Sequence, residues 1–262
     1  MSEIPVDLAI IIDTSSSMKD EAQGLSAAAA AAIETARSSC PSDLRVVWLG
    51  IEGIWKNSNF AQTVRQYLME ICAVSESDIR GRKRGTLESA GAQEDAARAI
   101  EDIATHFNWR SGAKRAIFYL GDEALDCGGG KTQQKDIEAA NRAIQTAKTT
   151  QVVVHTYFGE SKSRYRKTVE AEYARLATET DGQAFTSQDA LEGFSAVLEK
   201  VICTSKVAIT ANSESESTPV EQQYKQYTLA TGLEDYGRWK SMFKDHKPDK
   251  NEKPFRRGRI WC

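Results

Sequence analysis

The stretch Val6-Asp7-Leu8-Ala9-Ile10-Ile11-Ile12-Asp13-Thr14-Ser15-Ser16-Ser17 passes within one residue from an aliphatic run to a polar cluster. A run like that over residues 6–12 is the pattern of a strand covered on both faces, as in a parallel sheet with helices on either side. Its abrupt end puts a carboxylate and several hydroxyls in the loop at the strand's carboxyl end. Open parallel sheets bind their ligands there, where the strand order reverses.

The rest of the chain repeats the alternation. Residues 21–38, with the alanine run 27–32, form a helix whose small side chains let it lie close to a sheet. Residues 45–51 are a second buried strand, and 60–69 fit either an edge strand or a short helix. A long polar stretch, 75–93, holds Arg80-Gly81-Arg82-Lys83-Arg84-Gly85 and leads into a helix over 94–107. A loop of that length inside a compact domain is often functional. Residues 114–120 form a strand ending in Gly121-Asp122, followed by a glycine loop and a helix over 133–149. Strand 152–158, helix 169–180, short strand 183–186 and helix 191–201 complete the series. The expected fold class is α/β, doubly wound, with a mainly parallel central sheet and helices on both faces. One domain over residues 1–204 is followed by a Ser/Glu-rich linker, 205–220, and an aromatic and basic tail, 221–262.

Composition narrows the classes of function. With 262 residues, 40% hydrophobic and 27% charged, the chain can bury one full core. A net charge of -3 gives no global attraction to nucleic acid, so nucleic acid is not an expected partner. The start of the chain has no basic stretch followed by an apolar segment, and the apolar run 8–12 is far too short to span a bilayer. No membrane span and a cytoplasmic location are therefore expected. The five cysteines, Cys40, Cys72, Cys127, Cys203 and Cys262, are scattered without Cys-x-x-Cys spacing, so reduced and mostly buried thiols are expected rather than a disulfide framework or a zinc ribbon.

An aliphatic strand ending in Asp-x-Ser-x-Ser resembles the metal-ion-dependent adhesion site, or MIDAS, of the von Willebrand factor A (vWA) family, here Asp13, Ser15 and Ser17. Asp122, ending strand 114–120, falls where the family's distant site aspartate would lie. The resemblance spans residues 5–204. It implies a Rossmann-like fold, metal binding by Ser15 and Ser17 directly, and aspartates Asp13 and Asp122 acting largely through water. It also implies a protein partner whose Asp or Glu completes the ion's coordination. The family supplies a further threonine or aspartate from the loop before the middle helix. The segment Gly85-Thr86-Leu87-Glu88-Ser89-Ala90-Gly91 offers Thr86, Glu88 or Ser89 with different spacing, and Thr86 is the choice that leaves the ion's charge intact. The Thr or Ser common before the second aspartate is replaced by Gly121. Hard oxygen donors on short side chains suit Mg2+, with Mn2+ or Ca2+ as alternatives.

The implied function is a non-enzymatic, divalent-metal-dependent protein interaction module. Some proteins of this family resemble partners of MoxR-type or chelatase AAA+ ATPases, which makes an accessory subunit of such a machine the alternative. Asp and Ser are also preferred helix N-caps, so residues 13–17 have a purely structural reading as well, compatible with the first. Gly128-Gly129-Gly130-Lys131-Thr132 is a partial phosphate-binding motif with Leu125 where its first glycine belongs, which leaves a nucleotide-binding enzyme as a third reading. His106, His155 and His246 form no triad with any nucleophile motif, and His155 within a strand is expected to be a satisfied core residue. The basic run 80–84 would suit an acidic partner if it rims the site.

Overall fold

From Val6 onward every residue of the first strand, β1 (Pro5–Ile12), is buried, because neighbouring strands flank it and helices cover both faces. This computed structural model describes residues 3–85 and 91–206. The other strands are β2 (Asp43–Gly50), β3 (Lys114–Gly121), β4 (Val152–Phe158) and β5 (Ala184–Thr186). They form one sheet in the order β2-β1-β3-β4-β5 with every pairing parallel. The helices are α1 (Lys19–Ser39), α2 (Val64–Glu70), α3 (Ala96–His106), α4 (Gln134–Thr150), α5 (Arg166–Glu179) and α6 (Phe194–Ser205). The doubly wound α/β class expected from the alternation is the fold observed.

Side-chain alternation along β1 separates two cores. Leu8, Ile10 and Ile12 pack with α1 and α6, while Ala9 and Ile11 pack with α2, α3, α4 and α5. Helix α1 reaches the sheet through Ala22, Leu25, Ala29, Ala32 and Ala36, small residues at intervals of three and four that bring its axis close. Asp20 and Glu21 in its first turn and Arg37 in its last complement its dipole. Asp7, the one polar residue within β1, is fully buried. It accepts hydrogen bonds from the Arg45 side chain at 3.0 and 2.8 Å and from the backbone and side chain of Arg110 at 2.7 Å each. A buried carboxylate is tolerated when paired in this way.

Several boundaries move. Residues 60–69 resolve to a loop and the short helix α2, which starts in a capping box between Thr63 and Gln66. Phe60 is fully buried in that loop, edge-on to Trp48 at 5.5 Å. A single 3-10 turn, Ala92–Glu94, precedes α3, so the helix starts at Ala96 rather than at 94. The last helix runs through Ser205, one residue past the expected domain end. The linker beyond Lys206 and the tail lie outside the described residues.

The thiol expectation needs correction. Cys40, just past α1, and Cys203, near the end of α6, form a disulfide with their Cα atoms 5.5 Å apart. Helices α1 and α6 pack side by side on one face of the sheet, which brings their carboxyl ends together across 163 residues of sequence. Cys72 and Cys127, half-buried and buried respectively, take no part in that disulfide. Disulfides persist in oxidising surroundings.

Candidate metal centre

The strand order reverses between β1 and β3, and both strands end in an aspartate there. Asp13 is fixed by its amide, which donates to the Leu120 carbonyl at 2.9 Å. Its Oδ1 accepts from the Ser15 amide at 2.6 Å, closing a local turn that faces Ser15 inward. The Ser15 and Ser17 hydroxyls lie 2.9 Å apart, and Ser17 donates to Asp122 Oδ1 at 3.1 Å. Asp13, Ser15, Ser17 and Asp122 thus form one connected set. The hydroxyls do not cap a helix: neither the 3-10 turn Ser16–Met18 nor α1 receives a side-chain capping bond.

Burial makes this set costly on its own. Asp13 is wholly buried, and its Oδ2 has no hydrogen-bond partner among the described residues. Burial pushes its carboxyl well above the usual carboxylate range, against the pull of the Ser15 hydrogen bonds, and the Glu94 and Asp122 charges add to the rise. Asp122 is raised to about 6, first by burial, with Ser17 opposing and the Glu123 and Glu21 charges adding. An ionised carboxylate without a partner in such a place costs several kcal/mol, which a bound cation would offset.

Two residues that the sequence reading did not assign join the set. The 3-10 turn Ala92–Glu94 is tied to the first loop by a bond from the Thr14 amide to the Gln93 carbonyl at 3.2 Å. This brings Glu94 beside Asp13 and Asp122, and its side chain hydrogen-bonds with that of Glu123. Burial first, then the Glu123 carboxylate, pushes Glu94 up to about 7. A Cβ at Gly128 would sit 1.9 Å from Glu94 Oε2 and 2.7 Å from Glu123 Oε2, so the bare glycine leaves room for the two carboxylates. Among the described residues no ion pair reaches Asp13, Glu94, Asp122 or Glu123. Thr86, together with Glu88 and Ser89, lies outside the described residues.

Gly121 precedes Asp122 at a place where a side chain does not fit. A Cβ there would meet the Tyr119 hydroxyl at 2.0 Å and the Tyr173 hydroxyl at 2.6 Å. Those hydroxyls are 3.0 Å apart, and Tyr173 also donates to the Glu123 carbonyl at 2.8 Å. The tyrosine pair fills the space beneath Asp122 and holds the backbone of Glu123.

The remaining motifs resolve as structure. Only Arg82 of the basic run turns inward, where it bridges Asp95 and Asp126 at 2.9 Å each; Arg80 and Lys83 pair with Glu101 and Glu76 but stay exposed, as does Arg84. In the glycine loop the Gly129 amide donates to Glu123 Oε2 at 2.5 Å, and Lys131 lies over the Tyr165 ring at 5.2 Å, so an amide and the lysine that a phosphate would need are engaged. His155 is buried and satisfied, accepting from the Gln183 amide at 3.1 Å with Ser205 Oγ 3.2 Å from its other nitrogen. Burial lowers its pKa to about 4.

No family model matches the chain, and no curated protein matches it in sequence. Among solved structures it is similar to proximal thread matrix protein 1 from the mussel byssus, at 11% identity and a TM-score of 0.40, over 77% of this chain and 49% of that one. It is also similar to the human COPII-coat protein Sec24c, at 10% identity and a TM-score of 0.39, over 78% of this chain and 32% of that one. The chain spans about half the length of the first and about a third of the second. Among the described residues no helix is long and apolar enough to cross a membrane.

Proposed function

We propose that Asp13, Ser15, Ser17 and Asp122 hold a divalent cation, Mg2+ with Mn2+ or Ca2+ as alternatives, and that the chain is a non-enzymatic, metal-dependent protein interaction module of the vWA type. The observation that carries this reading is the wholly buried Asp13 carboxylate, whose Oδ2 lacks a hydrogen-bond partner among the described residues. It stands beside two serine hydroxyls and a second strand-terminal aspartate at the point where the sheet order reverses. The donor set fits the ion: hard oxygens, short side chains and a deficit of positive charge. Bound there, the ion supplies an open coordination position for a partner's oxygen. The residues themselves hold it, fix the loop after β1 against the loop after β3, and keep the site at the sheet's carboxyl edge.

Calorimetric titration of Mg2+ into wild type and into a Ser15→Ala/Ser17→Ala double variant tests the reading. Heat that saturates for wild type and vanishes for the variant is expected. Equal heats for the two proteins, or none for either, would remove it.

A further inference from the structure

The resemblance to vWA proteins carries an expectation about the partner, namely that its carboxylate completes the ion. That expectation depends on a site with few carboxylates of its own, and the loop before α3 departs from this. Glu94 is brought beside Asp13 and Asp122 by the bond from Thr14 to Gln93, and it hydrogen-bonds with Glu123 in the space that the missing side chain of Gly128 leaves. Four carboxyl groups, those of Asp13, Glu94, Asp122 and Glu123, lie close enough to act on one another's charge, and no ion pair among the described residues reaches them. Within this group the fully buried Asp13 Oδ2 has no hydrogen-bond partner among the described residues. With one proton shared between Glu94 and Glu123, three formal negative charges still face the two charges of the ion. A further carboxylate would meet repulsion from Glu94 and Glu123 in a partly desolvated site, where Coulomb terms are strong.

Resting on the reading of this site as a metal centre, we propose that Glu94 is itself a ligand of the cation, and that the partner group completing the coordination is a neutral oxygen, such as a hydroxyl or an amide carbonyl, rather than a carboxylate. Glu94 then takes the position that the family fills from this loop, and it changes what the ion recruits. A carboxylate-rich oxygen set also suits Ca2+ and Mn2+, which dehydrate more readily than Mg2+ and accept more protein ligands.

Mn2+ serves as the probe. Its affinity is measured by loss of the free-ion paramagnetic resonance signal for the full-length wild type, Glu94→Gln and Ser15→Ala/Ser17→Ala. Each Mn2+-loaded protein is then titrated with acetate and separately with acetamide while water-proton relaxation reports displacement of bound water. Glu94→Gln should weaken Mn2+ by about tenfold or more. Acetate should leave the relaxation of wild type unchanged, and acetamide should lower it. In Glu94→Gln, acetate should lower it as well. Wild-type affinity in Glu94→Gln would overturn the ligand role, and an acetate effect on wild type equal to that of acetamide would overturn the partner chemistry. Failure of the underlying reading looks different: the double serine variant would bind Mn2+ as tightly as wild type, whatever Glu94→Gln does.

Discussion

Glu94 and Asp95 are neighbours in sequence and belong to opposite kinds of acidic cluster. Asp95 is fully buried with Asp126, and that pair is bridged by Arg82 at 2.9 Å to each, with Arg98 3.8 Å from both. Glu94 lies with Asp13, Asp122 and Glu123, where no ion pair among the described residues provides a positive charge. The 3-10 turn Ala92–Glu94 makes the division, since it changes the chain direction just before α3 and sends consecutive side chains to different sides. The first cluster carries its own cations and pins the 80–84 loop to the fold. The second contains hydroxyls, a carboxylate oxygen without a hydrogen-bond partner among the described residues and raised carboxyl pKa values, the features on which the proposed cation site rests.

The comparison breaks most visibly at Arg82. Replacing it with Ala leaves Asp95 and Asp126 buried with only the more distant Arg98, and should cost about 3 to 4 kcal/mol in urea unfolding. Glu94→Gln in metal-free buffer should cost nothing. A loss below about 1 kcal/mol for Arg82→Ala would mean that the two clusters do not differ in the way described.

Gly121→Ala sharpens the comparison from below the proposed metal site. The new methyl would overlap the Tyr119 and Tyr173 hydroxyls, and forcing them apart should destabilise the protein by about 2 kcal/mol and loosen the hold on Glu123. A variant as stable as wild type would show that the tyrosine pair relaxes freely.

The last effect is a dependence on pH. Glu94 at about 7 and Asp122 at about 6 lie above their ordinary values, so the folded protein holds these protons more tightly than the unfolded chain. Their contribution to stability is complete below about pH 4 and is lost as pH rises through 6 to 7. Without metal, the stability of Glu94→Gln relative to wild type should therefore increase from about pH 5 to about pH 8. Parallel curves over that range would count against the electrostatic account of the cluster.

Much of this was legible in the chain itself. The aliphatic run 6–12, closed by Asp13, marked a buried strand with a polar loop at its end, and the similar ending at Asp122 identified the second arm of the crevice. Both signals are local and periodic. Glu94 was hidden because its role depends on a turn that ties Gln93 to Thr14 across 79 positions, and in sequence it reads as the beginning of a helix. Asp7 was absorbed into the aliphatic pattern, since only the folded chain brings Arg45 and Arg110 to it. The inward turn of Arg82 was hidden because its partners, Asp95 and Asp126, lie 13 and 44 positions away. The Cys40–Cys203 pairing had no spacing signal at all, since it follows from the packing of the first helix against the last.

That bridge has a topological consequence. Cys40 and Cys203 close most of the domain into a covalent ring, and the turn before α3, the aspartate after β3 and the glycine loop all lie within it. A protease that cuts once at the exposed Gly129 or Gly130 opens the ring without dividing the molecule. The two pieces part only when a reductant is added, so the same nick gives one band or two on a gel according to the redox state of the sample.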